Sequence, residues 1–465
     1  MPTGGTGFTF GTPAGIALQA FIEEGKFMII HLPWGEAQLD LTLPSTWKVH
    51  QPAAEQASTP APADELEIVR AALARPIDAP PLRRRPLSGK DVLIVMDDNT
   101  RPTPVARFLH LVLDELADAG ADPARTRLMP ALGIHTPMTE QEMADKAGRE
   151  NLARTAWQNH DAFDPAQMHD FGRTSRGTPV ILNRAVAAAD LVLLIGLIEP
   201  HLWAGFGGGM KNLLPGVASA ETIGRHHALI ALPPYRVNRA GLAPEDNDFR
   251  LDLEEVRHLI AADIFCLNVS LDHAGQIIGA FAGDPVGAHR EGIAFNRKRA
   301  GRRLAGPVDA IIVNSFPMDL NFKQSMKGVG NTLPALKPGG VVMGFLRAER
   351  GLDDIPLPTD PKPLWLVKTL LRLMGARRVM GFLEKVKPGL NVEEKFLMYY
   401  SMQLIRVYDL YFYVPHLSDK EVKHLGFFVR LNEPQAVIDR AARKIGRRAE
   451  VAVFPEAGAS FPIME

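Results

Sequence analysis

Short, unbroken apolar runs set the pattern of the first half of the chain. Asp91-Val-Leu-Ile-Val-Met96, Thr126-Arg-Leu-Met-Pro-Ala-Leu132 and Asp190-Leu-Val-Leu-Leu-Ile-Gly-Leu-Ile198 each have the length and branching of a strand buried on both faces. Each run stops at a polar loop. After the first, Ala106-Arg-Phe-Leu-His-Leu-Val-Leu-Asp-Glu-Leu116 switches to helical spacing behind Pro104, which is well placed at a helix start. In the second half, Val308–Asn314, Pro338–Phe345 and Val451–Phe454 read as strands, and 434–448 as a helix. Strand, polar loop, helix, repeated, predicts an α/β fold with ligand groups at the carboxyl ends of the strands.

A chain of 465 residues exceeds one ordinary core. The expectation is two α/β domains with the active site in the cleft between them. The first spans 1–290, the second 291–430, and a terminal helix and strand over 431–465 return toward the first. The boundary follows the polar stretch containing Arg290, Arg297, Lys298, Arg299, Arg302 and Arg303. Residues 51–64 form a Pro/Ala-rich connection or the lead into a helix, whereas Leu364 to Tyr413, rich in Leu, Met, Phe and Tyr, has no readable period. Lysine and arginine number 52 against 53 acidic residues, so the net charge of −1 favours neither nucleic acid nor a membrane as partner. The single cysteine, Cys266, excludes an internal disulfide and a multi-thiolate metal cage. The first residues lack the basic and apolar regions of a signal peptide, so the expected location is the cytoplasm.

Chemistry gathers where the apolar runs end. Asp98 and Arg101 follow the first run, and His135 the second. After the third comes His201-Leu-Trp-Ala-Gly-Phe-Gly207-Gly208-Gly209-Met-Lys211-Asn-Leu-Leu-Pro-Gly216, and after Val308–Asn314 come Gln324 and Lys327. Glycines allow close backbone approach to a ligand, and a lysine beyond them can serve as charge, base or covalent anchor. A P-loop is excluded, because Met210 stands where glycine is required and Asn212 where Ser or Thr would hold magnesium. His226-His227 lies downstream, but no His-x-x-x-His or His-Glu-x-x-His pair accompanies it. Several histidines in one crevice would suit acid–base chemistry or a Zn, Ni or Cu ion.

Five blocks in this order resemble the nickel-pincer lactate racemase family of 2-hydroxyacid racemases and epimerases: Asp98-Asn-Thr-Arg101-Pro, Gly133-Ile-His135-Thr-Pro, His201 to Gly216, His227, and Gln324-Ser-Met-Lys327. The resemblance covers about residues 90–330. It implies a nickel-bound pyridinium mononucleotide with thioamide and thiocarboxylate arms, tethered through Lys211, with His227 as a nickel ligand. It implies His135 and His201 as paired catalytic bases, and Arg101, Gln324 and Lys327 beside the substrate. Asp98, Thr100 and Gly207 to Gly209 would lie against the cofactor.

The implied reaction moves hydride, since the Cα–H beside an ionised carboxylate is too poor an acid to lose as a proton. The implied partners are a small 2-hydroxyacid and the proteins that make the cofactor; self-association stays open. Asn314-Ser315-Phe316-Pro317 and Lys323 depart from the family pattern, and the segment 364–413 does not match a lactate-specific member, so the hydroxyacid itself is left unnamed. Two other readings fit the same crevice: a metal- or nucleotide-dependent oxidoreductase without the tether, and a non-catalytic carrier of the nickel cofactor.

Overall fold

A computed structural model describes residues 22–23, 27–55, 64–231, 239–272, 274–352, 363–389 and 392–464. The first eight residues and most of the 51–64 connection lie outside the described residues.

Two six-stranded sheets carry the α/β architecture. The first runs in the spatial order Ile277–Gly283, Asp263–Leu271, Leu191–Leu197, Val92–Met96, Thr126–Pro130, Ala156–Trp157, parallel except at its Ile277–Gly283 edge. Successive residues of Val92–Met96 serve opposite faces. Val92, Ile94 and Met96 join a core with the helices Glu65–Ala74 and Val105–Asp118, while Leu93 and Val95 join one with Ala220–Ala231 and Asp248–Glu255. Burial on both faces explains the unbroken apolar runs.

The second sheet is parallel throughout, in the order Val429–Leu431, Asp409–Tyr413, Leu336–Phe345, Val308–Asn314, Glu450–Phe454, Lys48–His50. It draws strands from both ends of the chain. Residues 27–50, expected with the first half, belong here by packing. The antiparallel hairpin Phe27–Trp34 and Ala37–Pro44 presents Ile30, Leu32, Leu41 and Leu43 to Ile312, Val341 and Met343, and Lys48–His50 pairs beside Glu450–Phe454. The alternation Ile30/Leu32 and Leu41/Leu43 is the period-two signal of a strand covered on one face only. Helix Pro434–Ile445 shares this core, and Phe461–Met464 pairs with Gly301–Leu304.

The segment without a readable period contains three helices, Leu364–Met374, Ala376–Val386 and Val392–Val407, followed by the strand Asp409–Tyr413. With helix Phe322–Thr332 they cover the other face of the second sheet. Among the described residues no helix is long and apolar enough to cross a membrane.

Candidate active site

Strand order picks out the site before any side chain does. From Val92–Met96 the chain moves outward to Thr126–Pro130, then returns to lay Leu191–Leu197 and Asp263–Leu271 on the opposite side. The order therefore reverses between Val92–Met96 and Leu191–Leu197. In parallel sheets such a switch point leaves a crevice at the carboxyl ends of the two strands, because their loops part in opposite directions. Asp97 and Asp98 leave one of these strands, and Glu199 and His201 the other.

The His201 loop is held tightly by its own protein. A Cβ on Gly207 would stand 2.8 Å from the Leu197 carbonyl, one on Gly208 2.7 Å from Asn268 Oδ1, and one on Gly209 2.9 Å from the His289 ring. Gly208 and Gly209 also have φ of +73° and +63°, which side chains other than glycine resist. The amides of Gly207 and Gly209 already donate to Glu199 O and Asn268 Oδ1. The three glycines thus serve the seating of the loop. Arg250, fully buried, fixes it from beneath by donating to the carbonyls of Ala204, Phe206 and Gly208.

This seating brings Lys211 Nζ to 3.0 Å from His201 Nε2. His201 Nδ1 accepts the backbone N–H groups of Trp203 and Ala204, both at 3.2 Å, and so carries no proton. The neutral ring must then bear its proton on Nε2, and the lysine amine must accept it through a lone pair. Lys211 is a free amine in this arrangement. Burial, together with the charges of Arg101 and Arg250, pushes its pKa down to about 7, and burial with the nearby charge of Arg101 holds His201 well below the usual histidine range.

His135 is held in the opposite tautomer. Its Nδ1 lies 2.6 Å from Asp98 Oδ2, so Nδ1–H donates to the carboxylate and Nε2 keeps its lone pair. Asp98 Oδ1 accepts from the Thr100 amide at 3.1 Å and its hydroxyl at 2.6 Å. Burial pushes the Asp98 carboxyl up, but the bonds from His135 and Thr100 outweigh it and hold it below the usual carboxylate range. Asp98 and Thr100 are therefore spent on orienting His135.

Of the two adjacent histidines, His226 is fully buried and its Nε2 meets the Phe249 carbonyl at 2.9 Å. His227 Nδ1 donates to the Ile223 carbonyl at 2.7 Å, which leaves the Nε2 lone pair available to a metal. Burial lowers its pKa to about 4, so the ring is neutral at pH 7. Trp203 links the groups: its ring centroid lies 4.6 Å from that of His227 and 6.2 Å from that of His201, both edge-on.

Arg101 and Lys327 approach from different halves of the fold. Lys327, on helix Phe322–Thr332 of the second sheet, lies within electrostatic reach of Glu199, Arg101 and His201. Asn321 starts that helix by accepting the Gln324 amide at 2.9 Å, setting Gln324 and Lys327 one turn apart on one side. Glu199 faces the cations and lies 3.8 Å from Arg101 Nε. Sequence reasoning passed over Glu199, although its place two residues before His201 at a strand end was a signal. It also passed over Asp97, Lys146 and Arg250. Asp97 accepts from Thr103 and from the Leu197 amide, and Lys146 donates to the carbonyls of Arg101 and Thr103 at 2.7 and 2.9 Å. Nothing in the spacing of these three marks them, since only tertiary contact brings them under the site.

Residues 34–237 match the family model of the lactate racemase N-terminal domain. A lactate racemase of Thermoanaerobacterium thermosaccharolyticum is 32% identical over 318 residues, spanning 68% of this chain and 73% of that protein. One of Lactiplantibacillus plantarum is 31% identical over 288 residues, spanning 62% and 67%. The apoprotein structure of the T. thermosaccharolyticum lactate racemase aligns with a TM-score of 0.77 at 25% identity, over 94% of this chain and 100% of that one. A Thermotoga maritima protein shares the fold, with a TM-score of 0.57 at 16% identity, over 88% and 100%. The chain belongs to the lactate racemase family, whose members are isomerases.

Proposed function

We propose that this protein racemises or epimerises a small 2-hydroxyacid, using a nickel-pincer pyridinium nucleotide tethered to Lys211, in a cleft between the two sheet units. The observation that carries the reading is the 3.0 Å contact between Lys211 Nζ and His201 Nε2, which requires a part-buried free amine. A free amine is the form that can bond to a thiocarboxylate-derived arm. The His227 Nε2 lone pair is likewise the form that binds a metal. Both donors suit the group.

Held by Lys211 and His227, that cofactor would supply a reversible hydride acceptor for Cα. The protein's part is to move the hydroxyl proton and hold the carboxylate. His135, with its Nε2 lone pair turned out by Asp98, takes the hydroxyl proton of one enantiomer. His201, neutral with its proton on Nε2, donates a hydrogen bond to the substrate oxygen from the other side. A tethered Lys211 nitrogen would carry no basic lone pair, and His201 Nε2–H would then be free for substrate. Arg101 and Lys327 hold the carboxylate while Cα reorganises, with Gln324 beside it and Glu199 balancing their charge. The proteins that build the cofactor are the partners this reading requires.

The test is to produce the chain together with cofactor-synthesis proteins and measure intact mass, nickel and racemisation. One adduct on Lys211, one nickel per chain and exchange of 2-hydroxyacid enantiomers are expected. Loss of adduct and nickel under these conditions would overturn the proposal. Lys211→Ala should lose the adduct.

A further inference from the structure

The helices Leu364–Met374 and Ala376–Val386 expose the apolar face that helices ordinarily bury. Trp365 is 69% exposed, Leu373 77%, Phe382 61% and Val386 58%, with Leu370 and Met374 above 40%. On the first helix, Trp365, Thr369 and Leu373 follow one another at four-residue intervals, and Leu370 and Met374 adjoin them. On the second, Phe382 and Val386 do the same. These are two adjoining apolar stripes turned outward.

Charge says what the stripes can meet. Between residues 363 and 389 the exposed charged side chains are Arg372, Arg377, Arg378, Lys385 and Lys387, and none is acidic; Glu384 is partly covered and lies 3.6 Å from Lys395. The whole chain is almost neutral, so this local excess is lost in the overall composition. Exposed Trp, Phe and Leu flanked by cations are the make-up of a helix that lies in the plane of an anionic bilayer surface. A second copy is a poor occupant, because a two-fold contact would set the same cations against each other. Neither helix is long enough to span a bilayer, so the contact is superficial.

We propose that Leu364–Val386 is a docking surface for anionic membrane lipid, with Trp365, Leu373 and Phe382 entering the headgroup–acyl boundary and the flanking cations meeting phosphates. The third helix, Val392–Val407, packs on Ala220–Ala231, which carries His227, so the docked surface is continuous with the wall of the site. An enzyme acting on a small anion could then work beside the bilayer.

Flotation of the purified full-length chain with phosphatidylcholine vesicles, with and without phosphatidylglycerol, tests this. The chain should float with the anionic vesicles only and be released when salt rises from about 0.1 M to 0.5 M. The double variant Trp365→Glu/Leu373→Glu should lower the floating fraction at least about tenfold, with its melting temperature unchanged. If that variant folds poorly, Arg372→Gln/Lys385→Gln keeps the apolar surface and should weaken binding to anionic vesicles severalfold. Failure of the wild-type chain to float with anionic vesicles overturns the proposal. So does equal flotation of the variants, or light scattering that shows a dimer split by Trp365→Glu/Leu373→Glu. These readouts need no cofactor, so their failure leaves the racemase reading standing.

Discussion

His135 and His201 are the same residue type at the ends of neighbouring loops, held in opposite states. His135 is half exposed and donates a hydrogen bond from Nδ1–H to Asp98. His201 is part-buried, accepts two backbone amides at Nδ1 and faces a lysine through Nε2. One ring presents a lone pair and the other a proton. The lone pair can take a hydroxyl proton and the N–H can hydrogen-bond the oxygen on the other side, so environment rather than sequence divides the labour.

The largest effects should come from removing either ring. His135→Ala and His201→Ala should each slow racemisation by roughly 100- to 10,000-fold, the usual contribution of a positioned acid or base, while the nickel content of the loaded protein stays unchanged. They should also differ. Without His201 the Lys211 amine loses its buried partner, so this variant alone should load the adduct more slowly, as followed by intact mass over time. Near wild-type turnover in either variant would remove that histidine from the mechanism, and equal loading in both would remove the His201–Lys211 link.

What the sequence made legible follows the same division. The buried parallel strands stood out because burial on both faces leaves an unbroken apolar run, as in Val92–Met96 and Leu191–Leu197. The hairpin Phe27–Trp34 and Ala37–Pro44 went unread, because its alternation is short and its partners, Val341 and Met343, lie three hundred residues away. The lysine, the histidines and the arginine of the site were visible as motif residues. Their tautomers were not, because these depend on Trp203 N–H, Ala204 N–H and the Asp98 carboxylate arriving at particular ring nitrogens. Nor could spacing show that the glycines answer to Asn268, His289 and Leu197, which approach them only after folding. The helices over 364–407 escaped for a further reason. On Leu364–Met374 and Ala376–Val386, apolar residues line the exposed sides as well as the buried ones, which blurs the helical period.

A second prediction tests the neutral amine through stability. The folded pKa of Lys211, about 7, lies below the ordinary lysine value near 10.4. Between these values the unfolded chain holds a proton that the folded chain has released. The group's contribution is therefore fully present above about pH 10 and lost as pH falls through about 7. Its upper bound is roughly 4–5 kcal/mol, from about 1.4 kcal/mol per pKa unit. Chemical denaturation of cofactor-free protein at several values between pH 7 and 10 should show stability rising with pH. In Lys211→Met, which keeps the buried apolar stem, that part of the slope should vanish. An unchanged slope would mean that Lys211 is charged in the folded protein and that His201 does not hold the tautomer assigned to it.

The gentlest break is at Asp98, which acts on the reaction only through His135. Asp98→Asn keeps the shape but replaces a charge-assisted bond with a neutral one, a change of about 1–1.5 kcal/mol. It also lets His135 place its proton on either nitrogen. Racemisation should fall roughly 10- to 100-fold, less than for His135→Ala, with substrate KM nearly constant because the carboxylate contacts are untouched. The acid limb of stability should change in the matching direction. The Asp98 carboxyl is held below its ordinary value, near 3.9 when unfolded, by His135 and Thr100 against the opposing effect of burial. Its stabilising contribution is present above that value and lost as pH falls through the lower folded one. The asparagine variant should lack this dependence and so lose less stability between about pH 4 and 2 than the parent does. A variant with full activity and an unaltered acid limb would show that His135 keeps its tautomer without Asp98, and the contrast between the two histidines would then rest on His201 alone.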